Sequence, residues 1–234
     1  MTTAALSAAP PGTVAVQLRE KDLDAAELLA LARELRTICD RYHARLIVND
    51  RIDVAIAAHA DGVHLPADSF SVADARALIG NATGLATELD SSAPLSDHGP
   101  TVVSTGVADA RSVLISAGLV GVSTHNESEV VSAAQAGADF VVFGPVFDPL
   151  SKPSYTSARG LAGLIAASRA VSIPVFALGG VTASRIRDLG IAIAEAKARG
   201  QAIHIAGIAV IGSIFEAPDP GAAMRDLVTA LASW

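Results

Sequence analysis

Several short runs carry side chains of the types that handle phosphate. VQLREKD, residues 16–22, sets Gln17, Arg19 and Lys21 at alternate positions, and a period of two puts them on one face of an extended chain. Cations on an inward face are costly unless they meet an anion, so the run reads either as an anion-binding edge or as a solvated strand end. RLIVNDRID, residues 45–53, closes an apolar strand with Asn49 and Asp50. Asp50 could hold Mg2+, which takes a carboxylate oxygen and keeps water and substrate phosphate as its other ligands. Equally, the pair could cap the next helix.

Three further stretches add to this set. GVSTHN, residues 121–126, ends a strand with Ser123, Thr124 and His125, small donors suited to phosphate or pyrimidine contacts or to capping the helix that follows. FGPVFDPLSKP, residues 143–153, places Ser151 and Lys152 on a polar loop, where a lysine can swing onto a leaving phosphate as a point charge. ALGGVTASRI, residues 177–186, carries Gly179 and Gly180, and AGIAVIGSIF, residues 206–215, carries Ile211 and Gly212. Paired glycines at a strand end let backbone amides approach an anion closely, and the last strand ends of a barrel are its usual phosphate site.

Other polar residues read more plainly. His64, mid-strand between apolar neighbours in ADGVHLPADSFS, residues 60–71, is expected to be a hydrogen-bonded core histidine. In the same run Asp68 is a candidate carboxylate, and Ser69 or Ser71 a candidate helix cap. His59 is expected on a helix surface, and the lone Cys39 reads as a core thiol, with no intramolecular disulfide available.

These runs need elements to position them, and the pattern supplies them. Strands are expected at 13–19, 45–50, 62–65, 120–125, 140–146, 174–180 and 204–211, with helical stretches such as 25–43, 72–79, 127–136 and 161–169 between them. Alternating strand and helix predicts βαβ units and a parallel sheet. The expected fold is α/β, a (β/α)8 TIM barrel, either whole or lacking its first β/α unit, since seven strands are counted. The Pro/Ala-rich residues 1–12 read as a disordered or truncated stub, and 13–234 as a single barrel domain. The stretch 81–100, rich in Gly, Thr, Ser, Asp and Pro, reads as an inserted surface loop.

Composition agrees. A chain of 234 residues is 51% hydrophobic but only 4% aromatic, as aliphatic strands and Ala-rich helix faces require. A net charge of −7 argues against a nucleic-acid surface. No signal peptide or spanning segment is read, so a cytoplasmic protein is expected, with no membrane partner; a homo-oligomer is left open. Nucleophile triads, zinc spacings and GxGxxG are absent from the sequence.

In order, VQLREKD, NDRIDVA, ADGVHL, GVSTHN, GADFVVFGPVF, Lys152, IPVFALGG and GIAVIGSIF resemble the successive strand ends of the thiamine phosphate synthase and thiazole tautomerase superfamily. The resemblance runs over about 14–225 and is closest to thiamine phosphate synthase. It implies a transferase that joins hydroxymethylpyrimidine diphosphate to thiazole phosphate and expels pyrophosphate, in thiamine biosynthesis. Gln17, Arg19, Lys21, Asn49, Ser123 and Lys152, with Ser151 beside it, would hold the pyrimidine diphosphate. Arg19, Lys21, Ser123 and Lys152 would carry the catalysis. Asp50 would ligate Mg2+ with Asp68 as its helper, and Gly179, Gly180, Ile211 and Gly212 would cradle the thiazole phosphate. The pattern departs from the family at Ser69, where a second metal aspartate is usual, and at Pro149. LPADSFS is closer to the tautomerase branch, whose histidine is Pro145 here. A metal-free isomerase of thiazole phosphate and a non-catalytic phosphate-binding barrel are therefore the alternatives.

Overall fold

The computed structural model describes residues 1–89, 118–148, 157–232 and 234. By its internal contacts the chain divides into two compact units, Ala15–Val120 and Met1–Val14 with Gly121–Trp234. The architecture is α/β, built from the strand-then-helix repeat of TIM barrels, and seven strands lie among the described residues.

The Ala15–Val120 unit runs β1 (Ala15–Leu18), α2 (Ala25–Arg41), β2 (Arg45–Asn49), α3 (Ile52–Ala57), β3 (Gly62–Leu65) and α4 (Val72–Leu89). β1 pairs with β2 and β2 with β3, both in parallel. The centres of β2 and β3 are apolar, as in parallel strands covered on both faces: Leu46, Val48 and Val63 are fully buried, whereas β1 leaves Ala15 and Gln17 exposed. α2 starts at a capping box, in which the Asp24 side chain accepts from the Ala26 and Glu27 amides while the Glu27 carboxylate accepts from the Asp24 amide. Its buried face includes Leu28, Ala32 and Cys39. Burial pushes the Cys39 thiol up to about 11, as expected of a core thiol rather than a reactive one. Asp61 fixes the turn before β3 by accepting from the Leu46 amide at 2.7 Å, from Arg36 at 2.6 Å and from Arg45 at 3.1 Å.

The second unit holds α1 (Thr2–Leu6), β4 (Leu119–Thr124, whose first two residues fall in the other unit), α5 (Glu127–Gln135), β5 (Phe140–Phe143), α6 (Gly160–Arg169), β6 (Val175–Leu178), α7 (Ala183–Ala198), β7 (Ile205–Ala209), α8 (Gly212–Phe215) and α9 (Pro220–Leu231). β4 pairs with β5, β5 with β6 and β6 with β7, again all in parallel. Asn126, Thr182 and Asp219 cap α5, α7 and α9 through their side chains, and Pro220 occupies the first turn of α9, where its missing N–H costs nothing. Ala5, Val181, Ile186, Ile214 and Leu227 form a buried cluster. Trp234 packs on it and donates its indole N–H to the Ile186 carbonyl at 3.1 Å.

The seven strands fall where the sequence places them, with different ends, and three local readings change. Residues 1–12 are not without structure: Thr2–Leu6 form α1, and Ala5 and Leu6 are buried. Residues 81–89, read as loop, continue α4 as helix; residues 90–100 lie outside the described part. His59 sits in the turn after α3 at φ 51°, exposed, rather than on a helix. None of the described helices is long and apolar enough to cross a membrane.

Candidate active site

The strand ends of the Ala15–Val120 unit bring part of the expected set together. Gln17 on β1 donates its side-chain amide to Asn49 Oδ1 at the end of β2, 3.0 Å away, so the two carboxamides orient each other. β1 stops at Leu18, so the alternation expected over 16–22 covers only Gln17. Arg19 and Lys21 lie on the exposed connection beyond it, where an ammonium or guanidinium keeps its hydration until an anion arrives.

Asp50 makes the turn out of β2. It adopts φ 65°, a left-handed conformation that aspartate tolerates better than most residues, and its amide donates to the His64 carbonyl at 2.9 Å. Its side chain does not cap α3, which opens at Arg51 without a side-chain cap. Instead Asp50 Oδ1 accepts from the Ser69 hydroxyl. The cap of α4 is Ser71, whose Oγ accepts from the Asp74 amide at 3.1 Å. Asp68 is exposed. His64 is buried, as expected of a core histidine, and burial together with the Arg19 charge lowers its pKa to about 4, so the ring is neutral at physiological pH.

No cluster of three metal-binding side chains occurs among the described residues. One half-buried carboxylate, Asp50, with a neighbouring hydroxyl is a donor set that fits Mg2+ held mainly by water and substrate phosphate. It does not fit a cation held by protein ligands alone.

The second unit contributes a different kind of site. After β6 the chain turns through Gly179 at φ 99° and Gly180 at φ 59°. Three successive carbonyls of this turn are taken up on one side. Leu178 O accepts from the Val146 amide at 2.7 Å, Gly179 O from the Phe147 amide at 3.1 Å, and Gly180 O from Arg185 Nη1 at 2.6 Å. A trans peptide is planar, with its N–H directed opposite to its C=O. Each of these planes therefore leaves its N–H, on Gly179, Gly180 and Val181 in turn, on the edge away from the bonded carbonyl, and among the described residues these amides donate to nothing. Successive unbonded amides in a positive-φ turn are the makings of an anion-binding nest.

Only glycine serves at either position. A Cβ on Gly179 would come within 2.7 Å of Pro145, and one on Gly180 within 2.5 Å of the Asp148 carbonyl. Ser213 Oγ donates to the Val181 carbonyl at 2.5 Å, tying the start of α8, with Ile211 before it and Gly212 its first residue, to this turn. Ile211 itself is exposed.

Elsewhere in this unit the candidates divide. Thr124 Oγ1 donates to the Val142 carbonyl at 3.2 Å and His125 Nδ1 bonds the Gly144 carbonyl at 2.6 Å, so both serve the frame, and the cap of α5 is Asn126 rather than either of them. Ser123 is half-buried near the end of β4. Ser151 and Lys152 lie outside the described residues. Reading the sequence missed the carbonyl latch and Arg185: paired glycines were its only signal, and which carbonyls they present is a property of the folded turn.

The thiamine monophosphate synthase family model matches residues 1–94 and 103–214. A putative thiamine-phosphate synthase of Geobacter sulfurreducens is 38% identical over 220 residues, spanning 94% of this chain and 82% of that protein. The thiamine-phosphate synthase of Chloroflexus aurantiacus is 36% identical over 216 residues, with 92% and 78% covered. Among solved structures, the thiamine phosphate pyrophosphorylase of Pyrococcus furiosus superposes with a TM-score of 0.67 at 24% identity, covering 99% of this chain and 88% of that one.

Proposed function

The chain belongs to the thiamine monophosphate synthase family, a family of transferases, and we propose that it joins hydroxymethylpyrimidine diphosphate to thiazole phosphate, releasing pyrophosphate. The observation that carries this reading for the protein's own residues is the nest at Gly179–Val181, three successive amides left unbonded while their carbonyls are taken up, to which we assign the thiazole phosphate together with Ile211 and Gly212. Backbone amides can bind such a dianion without adding net positive charge to the chain.

The pyrimidine diphosphate is assigned to Gln17, Arg19, Lys21 and Asn49, with Ser123, Ser151 and Lys152 in the roles the resemblance implies. The Gln17–Asn49 pair presents fixed amide groups, while the exposed Arg19 and Lys21 supply mobile cations for the diphosphate. In the reaction the bond from the pyrimidine methylene to the diphosphate oxygen breaks. The electron pair leaves with pyrophosphate, and the thiazole nitrogen forms the new C–N bond. Little covalent chemistry is left for the protein. Arg19, Lys21 and Lys152 neutralise charge as it grows on the leaving oxygens, and the nest holds the nucleophile in place.

Asp50 is the residue that would hold Mg2+, and Asp68 is assigned no more than contact through water. When bound, the ion would offset charge on the diphosphate oxygens. The single domain expected over 13–234 is proposed to take in α1 as well, since Ala5 belongs to the buried cluster of the second unit. We place the protein in the cytoplasm, where the lone cysteine, a buried thiol, matches a reducing compartment.

The test is direct. Purified protein is mixed with both substrates and Mg2+, and thiamine phosphate is sought by mass spectrometry. Product supports the transferase. Thiazole phosphate bound without product, or isomerised without the diphosphate, rejects it.

A further inference from the structure

Arg185 sits in the first turn of α7, four residues beyond Val181, and holds the Gly179–Gly180 turn from behind. Its Nη1 donates to the Gly180 carbonyl at 2.6 Å and to the Asp148 carbonyl at 3.0 Å. Its guanidinium lies over the Phe147 ring, 5.1 Å from the centroid, an arrangement that favours a cation over an aromatic face. The side chain is anchored at its base as well, because the Arg185 amide donates to Thr182 Oγ1, the cap of α7, at 3.3 Å.

These contacts divide the work of shaping the turn. The carbonyls of Leu178 and Gly179 are held by backbone amides of Val146 and Phe147, which survive any side-chain change. The carbonyl of Gly180 is held by Arg185 alone among the described residues. Its peptide plane carries the Val181 amide, the third donor of the nest. Without the guanidinium, Gly180, the more permissive kind of residue in a left-handed turn, can rotate that plane and turn the amide away.

We propose that Arg185 is a positioning residue that sets the third amide of the phosphate nest, and so tunes affinity for the phosphate of the thiazole substrate without touching the diphosphate-binding residues. This rests on the assignment of that phosphate to the nest. The step requires no proton transfer by Arg185, whose role is to hold two carbonyls.

The experiment compares wild type with Arg185→Ala, Arg185→Lys and Arg185→Gln. Steady-state KM is measured for each substrate, and thiazole phosphate binding is measured separately by calorimetry. Arg185→Ala is expected to weaken thiazole phosphate by about tenfold in both KM and Kd, the loss of roughly one charge-assisted contact. The KM for the pyrimidine diphosphate is expected to stay as in wild type. Arg185→Lys, whose ammonium can also donate to two carbonyls, is expected to recover part of the loss; Arg185→Gln serves in place of alanine should the latter fail to fold. Unchanged thiazole phosphate affinity in a folded variant overturns the proposal, as does an equal rise in both KM values. If wild type makes no product, the transferase reading fails, but the calorimetric arm still decides the role of Arg185.

Discussion

Ser69 donates its hydroxyl to Asp50 Oδ1, so one oxygen of the carboxylate assigned to Mg2+ is engaged by a neutral side chain nineteen residues downstream. This pairing defines the metal chemistry open to the chain. A hydroxyl fixes the rotamer of Asp50 but adds no charge, and divalent affinity rises with the number of carboxylates at the site.

Ser69→Asp is therefore expected to tighten Mg2+ by about tenfold in the presence of pyrophosphate, as a second carboxylate joins the first. Ser69→Ala should change it by less than about threefold, because only an orienting bond is lost. Calorimetric titration of both variants reads this without turnover. Equal affinity in wild type and Ser69→Asp would place the cation away from Asp50.

Arg19→Ala and Lys21→Ala are expected to raise the KM for the pyrimidine diphosphate by about tenfold or more each, the worth of one exposed cation closing on an anion. Their melting temperatures should stay near wild type, since both side chains are exposed. Higher ionic strength should shrink the wild-type advantage. Unchanged KM in both variants removes β1 and its connection from the site.

How far the sequence could be read follows from what each signal measures. The strands are legible because runs such as LIV at 46–48 and FVVF at 140–143 are short, apolar and rich in β-branched or aromatic residues, the composition of a strand covered on both faces. Residues 81–89 are not. Their Gly, Asn and Thr suggest loop, although Ala82, Leu85, Ala86 and Leu89 are good helix formers and α4 runs through them. Capping was partly legible. Ser69 and Ser71 both suit the start of α4 by sequence, but Ser71 caps it while Ser69 turns to Asp50, because a hydroxyl chooses between local and distant acceptors only once the chain is folded. Gly179 and Gly180 were visible as a candidate, but the latch that aims their amides joins residues 146, 147 and 185 to the turn, and no local pattern encodes that.

Gly180→Ala is expected to destabilise the fold by about 1–3 kcal/mol, since it adds a Cβ at φ 59° and presses it against the Asp148 carbonyl and Arg185. The same change should abolish measurable thiazole phosphate binding. Chemical denaturation and calorimetry on one preparation report both effects. Full phosphate affinity in the variant would show that the nest is not the site.

Cys39 provides an independent check on the core of the Ala15–Val120 unit. Its thiol is fully buried and pushed up to about 11 by desolvation, above the usual cysteine value of about 8.5. A raised thiol favours the folded state below the unfolded value, and the advantage is lost as pH rises through about 11. Labelling by a thiol reagent at pH 8 is expected to be negligible in native protein and to go to completion in denaturant. Rapid labelling of the native chain would contradict the packing of α2 on the strands.

The central claim is the transfer itself, and product stoichiometry tests it most directly. Thiamine phosphate and pyrophosphate are quantified together from a reaction containing both substrates and Mg2+, with each substrate omitted in turn. The account predicts one pyrophosphate for each thiamine phosphate and neither product when either substrate is missing. Pyrophosphate released without thiazole phosphate, or thiazole phosphate isomerised without the diphosphate, would contradict it.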